Sequence, residues 1–255
     1  GGGHLRACRA TYTGSAVTLG TTYDKQFDWW QEGYDFLRDG VTALSSSSFF
    51  SAYSVKYNSA YHLHGIVATL SGDTITWGDG ALANYEPDGS DGKRAVATAL
   101  SSTKVAIGTL EDAGMYSRIV NISGTTMTWV NDVTQVSPTC VNQQNNHKID
   151  STHFVHTTHG TSYVCTIDGS DVISVGIGVQ TNIGNESFPH SRQLDATNFI
   201  VWSLFGGFYG RLCSISGTTI IAGNTTYFYR SGGTNQSAYA VLDASNVIWV
   251  GLSAC

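Results

Sequence analysis

The chain has 255 residues, of which 13% are charged, and 19 Asp and Glu against 13 Lys and Arg set a formal charge of −6. An acidic chain with no basic run is a poor partner for nucleic-acid phosphates, while 11% aromatics and only 3 prolines argue for a collapsed rather than a disordered chain. The longest apolar stretch, residues 199–210, is too short to span a bilayer.

The start at Gly1-Gly2-Gly3-His4, without a basic-then-apolar leader, is what a processed mature form or an excised piece would show. The 5 cysteines include no CxxC pair, so they fit neither a zinc site nor a dense disulfide framework.

In chain order, the first recognisable run is Tyr12-Thr13-Gly14-Ser15-Ala16-Val17-Thr18, and its pattern returns four times. The copies are Leu70-Ser71-Gly72-Asp73-Thr74-Ile75-Thr76-Trp77, Ile122-Ser123-Gly124-Thr125-Thr126-Met127-Thr128-Trp129, Ile167-Asp168-Gly169-Ser170-Asp171-Val172-Ile173 and Ile215-Ser216-Gly217-Thr218-Thr219-Ile220-Ile221. A second pattern alternates with it: Ala43-Leu44-Ser45-Ser46, Ala99-Leu100-Ser101-Ser102, Lys148-Ile149-Asp150-Ser151, Gln193-Leu194-Asp195-Ala196 and Val241-Leu242-Asp243-Ala244, each leading into an apolar run.

The marker glycines Gly14, Gly72, Gly124, Gly169 and Gly217 are 58, 52, 45 and 48 residues apart, and the wrap from Gly217 through the end of the chain to Gly14 is 52. Five units of near-equal length that close on themselves predict a ring. Each unit holds four short strand-like runs separated by Gly, Asp, Asn or Ser turns. The last unit is completed by both termini, with inner strands from residues 237–242 and 246–252 and outer strands from 5–12 and 16–20.

These repeats resemble those of secreted and virion-associated five-bladed β-propellers, whose blades are four-stranded antiparallel sheets packed on both faces. The resemblance covers nearly the whole chain. It implies one all-β domain over residues 1–255, closed by antiparallel pairing of residues 247–251 with residues in 5–12. Neither a Trp-Asp repeat ending nor the Ser-x-Asp-x-Gly-x-Thr-Trp box of sialidases is present, so no site from those families carries over. Propeller scaffolds host binding and catalysis alike.

A glycosidase on such a ring needs carboxylates converging on the axis. Asp150, Asp195 and Asp243 are the obvious trio, but each follows the apolar end of an inner run, where Asp caps tight turns, and Ser45 and Ser101 stand in for it in the other units. The local clusters His147, His153, His156, His159 and His62, His64 lack carboxylate or Cys ligands at matching spacing, so neither a metal nor a cofactor is expected.

The largest departure from the repeat, residues 24–40, carries Trp29, Trp30 and Tyr34 among acidic residues. Such a loop either stacks on sugar rings or plugs a gap between blades. Ligand contacts are expected there or at the unit-specific inner-strand residues Gln143, Asn145, His147, Arg192 and Tyr239. Cys8 and Cys255 fall in one completed unit. They are expected to form a disulfide locking the ring, against the alternatives of a free Cys255 or one joining two subunits.

The sequence thus points to a non-catalytic extracellular module, secreted or on a cell or virion surface. It would be lectin-like or adhesin-like, binding a glycan or a surface protein, or a structural part of a fibre through self-association. The alternative is a glycoside hydrolase or lyase at the axis. Asn121, Asn185, Asn224 and Asn235 begin Asn-x-Ser/Thr sequons.

Overall fold

The computed structural model describes residues 4–13, 16–26, 37–57, 60–83, 95–111, 114–130, 133–138, 144–158, 160–181, 190–203, 208–229, 237–243 and 246–251, and every regular element among them is a β-strand. An antiparallel pair, β1 (His4–Thr13) and β2 (Ala16–Gln26), opens the chain. Sheet I comprises β3 (Leu37–Ser45), β4 (Ser48–Tyr57), β5 (Ala60–Ser71), β6 (Thr74–Trp77) and β7 (Ala81–Leu82). Sheet II comprises β8 (Ala95–Ser101), β9 (Lys104–Glu111), β10 (Gly114–Ser123), β11 (Thr126–Trp129) and β12 (Thr134–Ser137).

Sheet III follows as β13 (Gln144–Lys148), β14 (His153–Thr158), β15 (Thr161–Ile167), β16 (Ile173–Val175) and β17 (Val179–Gln180). Sheet IV is β18 (His190–Gln193), β19 (Asn198–Ser203), β20 (Phe208–Ser216) and β21 (Thr219–Tyr229). A second pair, β22 (Ser237–Asp243) and β23 (Asn246–Gly251), ends the described chain.

Each numbered sheet is an antiparallel meander in sequence order. Its fourth position is split in sheets I to III, where β7, β12 and β17 pair again with the third strand, and unsplit as β21 in sheet IV. The all-β expectation and the four-run unit are therefore both present. The ladder expected between residues 247–251 and 5–12 is not formed among the described residues. Each terminal strand instead keeps its sequence-adjacent hairpin partner, the pairing with the smallest closure entropy.

The repeated Gly is explained by the turn between third and fourth strands. Gly72, Gly124 and Gly217 have φ of 58°, 62° and 58°, which suits the first central position of a type II′ hairpin turn and disfavours any residue with a Cβ. In sheet III the positive φ, 65°, falls on Asp171 instead. The turn between first and second strands uses a side-chain cap. Asp150 Oδ1 accepts from the backbone N–H of Thr152 at 2.7 Å and of His153 at 2.8 Å, and Asp195 Oδ1 accepts from Thr197 at 2.8 Å and Asn198 at 2.9 Å. Ser45 and Ser101 accept from Ser47 and Thr103 in the same way.

Successive sheets stack with apolar layers between them. Phe50, Ala52, Leu63 and Val67 of sheet I meet Val105, Ile107, Val120 and Met127 of sheet II. Leu100, Ala106, Leu110 and Ile119 of sheet II meet Phe154, Cys165 and Ile173 of sheet III. Val155 and Val164 of sheet III meet Phe199, Val201 and Cys213 of sheet IV. A strand sandwiched this way must be apolar at consecutive positions, which is why the second and third runs do not alternate.

The first strands β3, β8, β13 and β18 touch in succession. A Cβ on Gly40 of β3 would come within 2.4 Å of the Ala97 nitrogen on β8, so this crowded line admits only small residues.

Candidate recognition surface

An antiparallel meander sends its connections to two ends. The first-to-second and third-to-fourth turns, short and repeated, lie at one end, here the turn end. The second-to-third connections and the links between sheets lie at the other, the loop end. The links, residues 27–36, 84–94, 139–143, 182–189 and 230–236, lie outside the described residues, and so do Trp29, Trp30, Tyr34 and Gln143.

Towards the loop end the layers between sheets II, III and IV become polar. His156 is fully buried on β14. Its Nδ1 lies 2.9 Å from Ser117 Oγ and its Nε2 2.9 Å from Gln144 Oε1, while Gln144 Nε2 donates to the Gly108 carbonyl at 3.0 Å. An amide oxygen only accepts, so Nε2 carries the proton and Nδ1 accepts from Ser117. Burial drives the His156 pKa down to about 3, and the ring is neutral at pH 7.

The next layer holds His147, whose Nδ1 lies 2.9 Å from Ser191 Oγ. Ser191 donates to Asn145 Oδ1 at 3.2 Å and accepts from Thr157 Oγ1 at 3.2 Å. Its one proton being committed, Nδ1–H of His147 is the donor, and Nε2 is left as a bare acceptor, buried and without a partner. Burial, and then the positive charge of Arg192, lower the His147 pKa to about 3. Ser162 and Thr181 continue the hydroxyl chain, Thr157 Oγ1 to Ser162 Oγ at 2.9 Å and Ser162 Oγ to Thr181 Oγ1 at 2.7 Å.

Three of the residues singled out in the sequence, Asn145, His147 and Arg192, are thus brought together at the junction of sheets III and IV. Ser191, Thr157, Gln144, His156 and Ser117 belong to the same polar layer and were missed. The available signal was the replacement of Ala and Val, at first-strand positions of sheet II, by Gln, Asn, His and Ser at those of III and IV. Tyr239 lies opposite Trp249 in the β22–β23 ladder, with its side chain outside the description. Cys8 is exposed on β1 and forms no disulfide among the described residues, outside which Cys255 lies.

The histidines do not form a metal cluster among the described residues. His147 and His156 serve different layers, and His153 caps the turn with Asp150 Oδ2 at 3.0 Å from its Nδ1. His64 stacks on Tyr53 with centroids 5.5 Å apart, and burial followed by the charge of His62 lowers its pKa to about 4. His159 lies outside the described residues.

Asp150 and Asp195 sit at the turn end, away from this layer. Burial pushes the Asp150 carboxyl up, but its bonds to the Thr152 amide and His153 outweigh that and hold it below the usual carboxylate range. The bond from the Thr197 amide, aided by Asn198, lowers that of Asp195. Among the sequons, Asn121 is occupied, its Nδ2 donating to Asp171 Oδ2 at 2.6 Å, whereas Asn224 is exposed on β21. No protein-family model matches the chain, and no curated protein matches it.

Proposed function

We propose that the protein is a non-catalytic extracellular recognition module on a five-bladed propeller, binding a glycan or surface protein at its loop end. The observation that carries this reading is the division of labour between the two ends. Short repeated turns fill one end, while every unit-specific connection emerges at the other, above a layer of hydroxyl, amide and imidazole groups. Variable loops on a rigid scaffold are the usual carriers of binding. Neutral donors and acceptors in fixed positions suit the hydroxyls of a saccharide or the polar groups of a peptide.

Five blades follow from counting the sheets: four complete ones and two half-sheets, β1–β2 and β22–β23, that together supply the strands of a fifth. The placement of β1 supports this. Its Arg9 reaches the third-to-fourth turn of sheet I, donating to the Gly72 carbonyl and Asp73 Oδ1 at 3.0 Å each. Sheet II grips the same turn of sheet III, with Lys104 and Asn121 on Asp171. The half-sheet thus meets sheet I as a complete sheet meets its successor. The hydrolase alternative draws no support from Asp150 and Asp195, which are engaged as turn caps.

Glycan-array binding by the parent and by Asn145→Ala and Arg192→Ala variants, run beside a polysaccharide-release assay, tests the function. Binding weakened tenfold or more by either variant, with no release of sugar, is the expected outcome. Depolymerisation, or binding unmoved by both variants, would overturn it.

A further inference from the structure

Resting on the five-blade reading, we infer that the groove between β1 and sheet I is an interaction surface whose occupant is the chain's own β23, seated edge-on against β1. A cavity of about 440 Å³ opens there, lined by Ala7 and Cys8 of β1 and by Val41, Phe49, Ile75 and Trp77 of sheet I. Phe49 and Ile75 stand where Val105 and Met127 stand in sheet II and where Phe154 and Ile173 stand in sheet III. Those four are covered by a preceding sheet. Val41 is 62% exposed.

The opposite wall of the gap is also apolar and bare. On sheet IV, Leu212 and Ile221 are 53% and 57% exposed, although Val164, at the position of Leu212 in sheet III, is fully buried. One polar detail agrees with these. Across the layer between sheets I and II, the Trp129 indole N–H donates to the Ala81 carbonyl at 3.3 Å, while the equivalent N–H of Trp77 is buried with no partner. A space with two apolar walls and an unmet donor lacks a strand layer. The chain supplies one in β23, whose sequence Asn246-Val247-Ile248-Trp249-Val250-Gly251 is apolar at four successive positions and whose ladder pairs it on one edge with β22.

The repeat fixes the register. In all four sheets the second and third strands pair the same way: Ser51 with Ile66, Ile107 with Arg118, His156 with Tyr163 and Val201 with Arg211. The fifth member of that series is Trp249 with Cys8, and its neighbours are Val247 with Ala10 and Val250 with Ala7. A second copy could offer the same strand, but the closure within one chain pays no association entropy.

The native Cys8 makes the register directly testable. In a Trp249→Cys, Cys255→Ser protein oxidised at micromolar concentration, non-reducing peptide mapping should find Cys8 joined to the introduced cysteine within a monomer. The same link joining two copies would overturn the inference in favour of a second copy as occupant, and two free thiols in a folded protein would overturn it outright.

If that variant fails to fold, Leu212→Asp in the natural chain serves instead. A seated β23 lowers the denaturant midpoint clearly, whereas an unmoved midpoint means the face is open and the inference is wrong. Scattering by the parent reports on the five-blade reading separately, since a closed ring of this length has a radius of gyration near ~18 Å whatever the register of the seam.

Discussion

His156 has both ring nitrogens satisfied by neutral partners, so a proton arriving there would have to displace the Ser117 donor in a dry layer. The pKa values of about 3 for His156 and His147, against 6.5 in the unfolded chain, make the unfolded state the better proton acceptor below pH 6.5. The stability these rings provide is fully present above that pH and is lost as pH falls towards 3, by about 1.4 kcal/mol per unit for each ring. Urea midpoints at pH 7.5, 6 and 4.5 should therefore decline, and His156→Gln should flatten the decline. An equal slope in the two proteins would show that this imidazole is not the buried group responsible.

At the same scale the sequence was readable where one side chain answers one backbone need. Asp150, Asp195, Ser45 and Ser101 cap the turns their positions suggested, and Gly72, Gly124 and Gly217 take the left-handed conformation their repetition demanded. Gly169 misled, because sheet III moves its positive φ to Asp171. The Asn145–Ser191–His147 contacts were only half legible. The sequence marks which inner-strand residues differ between units, but Ser191 joins the other two by the stacking of two sheets, a relation that no local pattern encodes.

Among the elements, the fit between neighbouring sheets rests on a few close approaches. A Cβ on Gly176, just after β16, would lie 2.6 Å from the Thr218 carbonyl of the next sheet, and one on Gly78 would lie 2.9 Å from the Thr125 carbonyl. Gly176→Ala should then cost about 1–3 kcal/mol, the range for overpacking, read as a lowered denaturant midpoint at constant slope. Phe154→Ala, emptying a fully buried position between sheets II and III, should cost about 3–5 kcal/mol. A loss below 1 kcal/mol there would mean that sheets II and III are not packed as described. The strands themselves were legible because both faces are buried, which makes their runs continuously apolar. The split of the fourth strand at Gly78 and Gly176 was not, since it depends on the turn of the following sheet pressing against that point.

For the molecule as a whole, the two ends should differ in tolerance. Lengthening the first-to-second turn at Asp195 breaks a cap but touches no unit-specific connection, so such an insertion should lower stability and leave ligand binding within twofold. An insertion in residues 182–189 should do the reverse. Parallel melting and binding measurements on the two insertions check this, and the opposite pattern would place recognition at the turn end. The sheets' meander order has a kinetic consequence as well. Every ladder in the described chain joins strands adjacent or nearly so in sequence. Each sheet can therefore form without waiting for distant residues, as the rate advantage of low contact order requires. During synthesis, sheets I to IV can assemble in the order in which they emerge, each laying down a template for the next. The N-terminal half-sheet, made first, would be the last to find its complement, and a protease acting on a partly made chain would encounter that unpaired edge throughout.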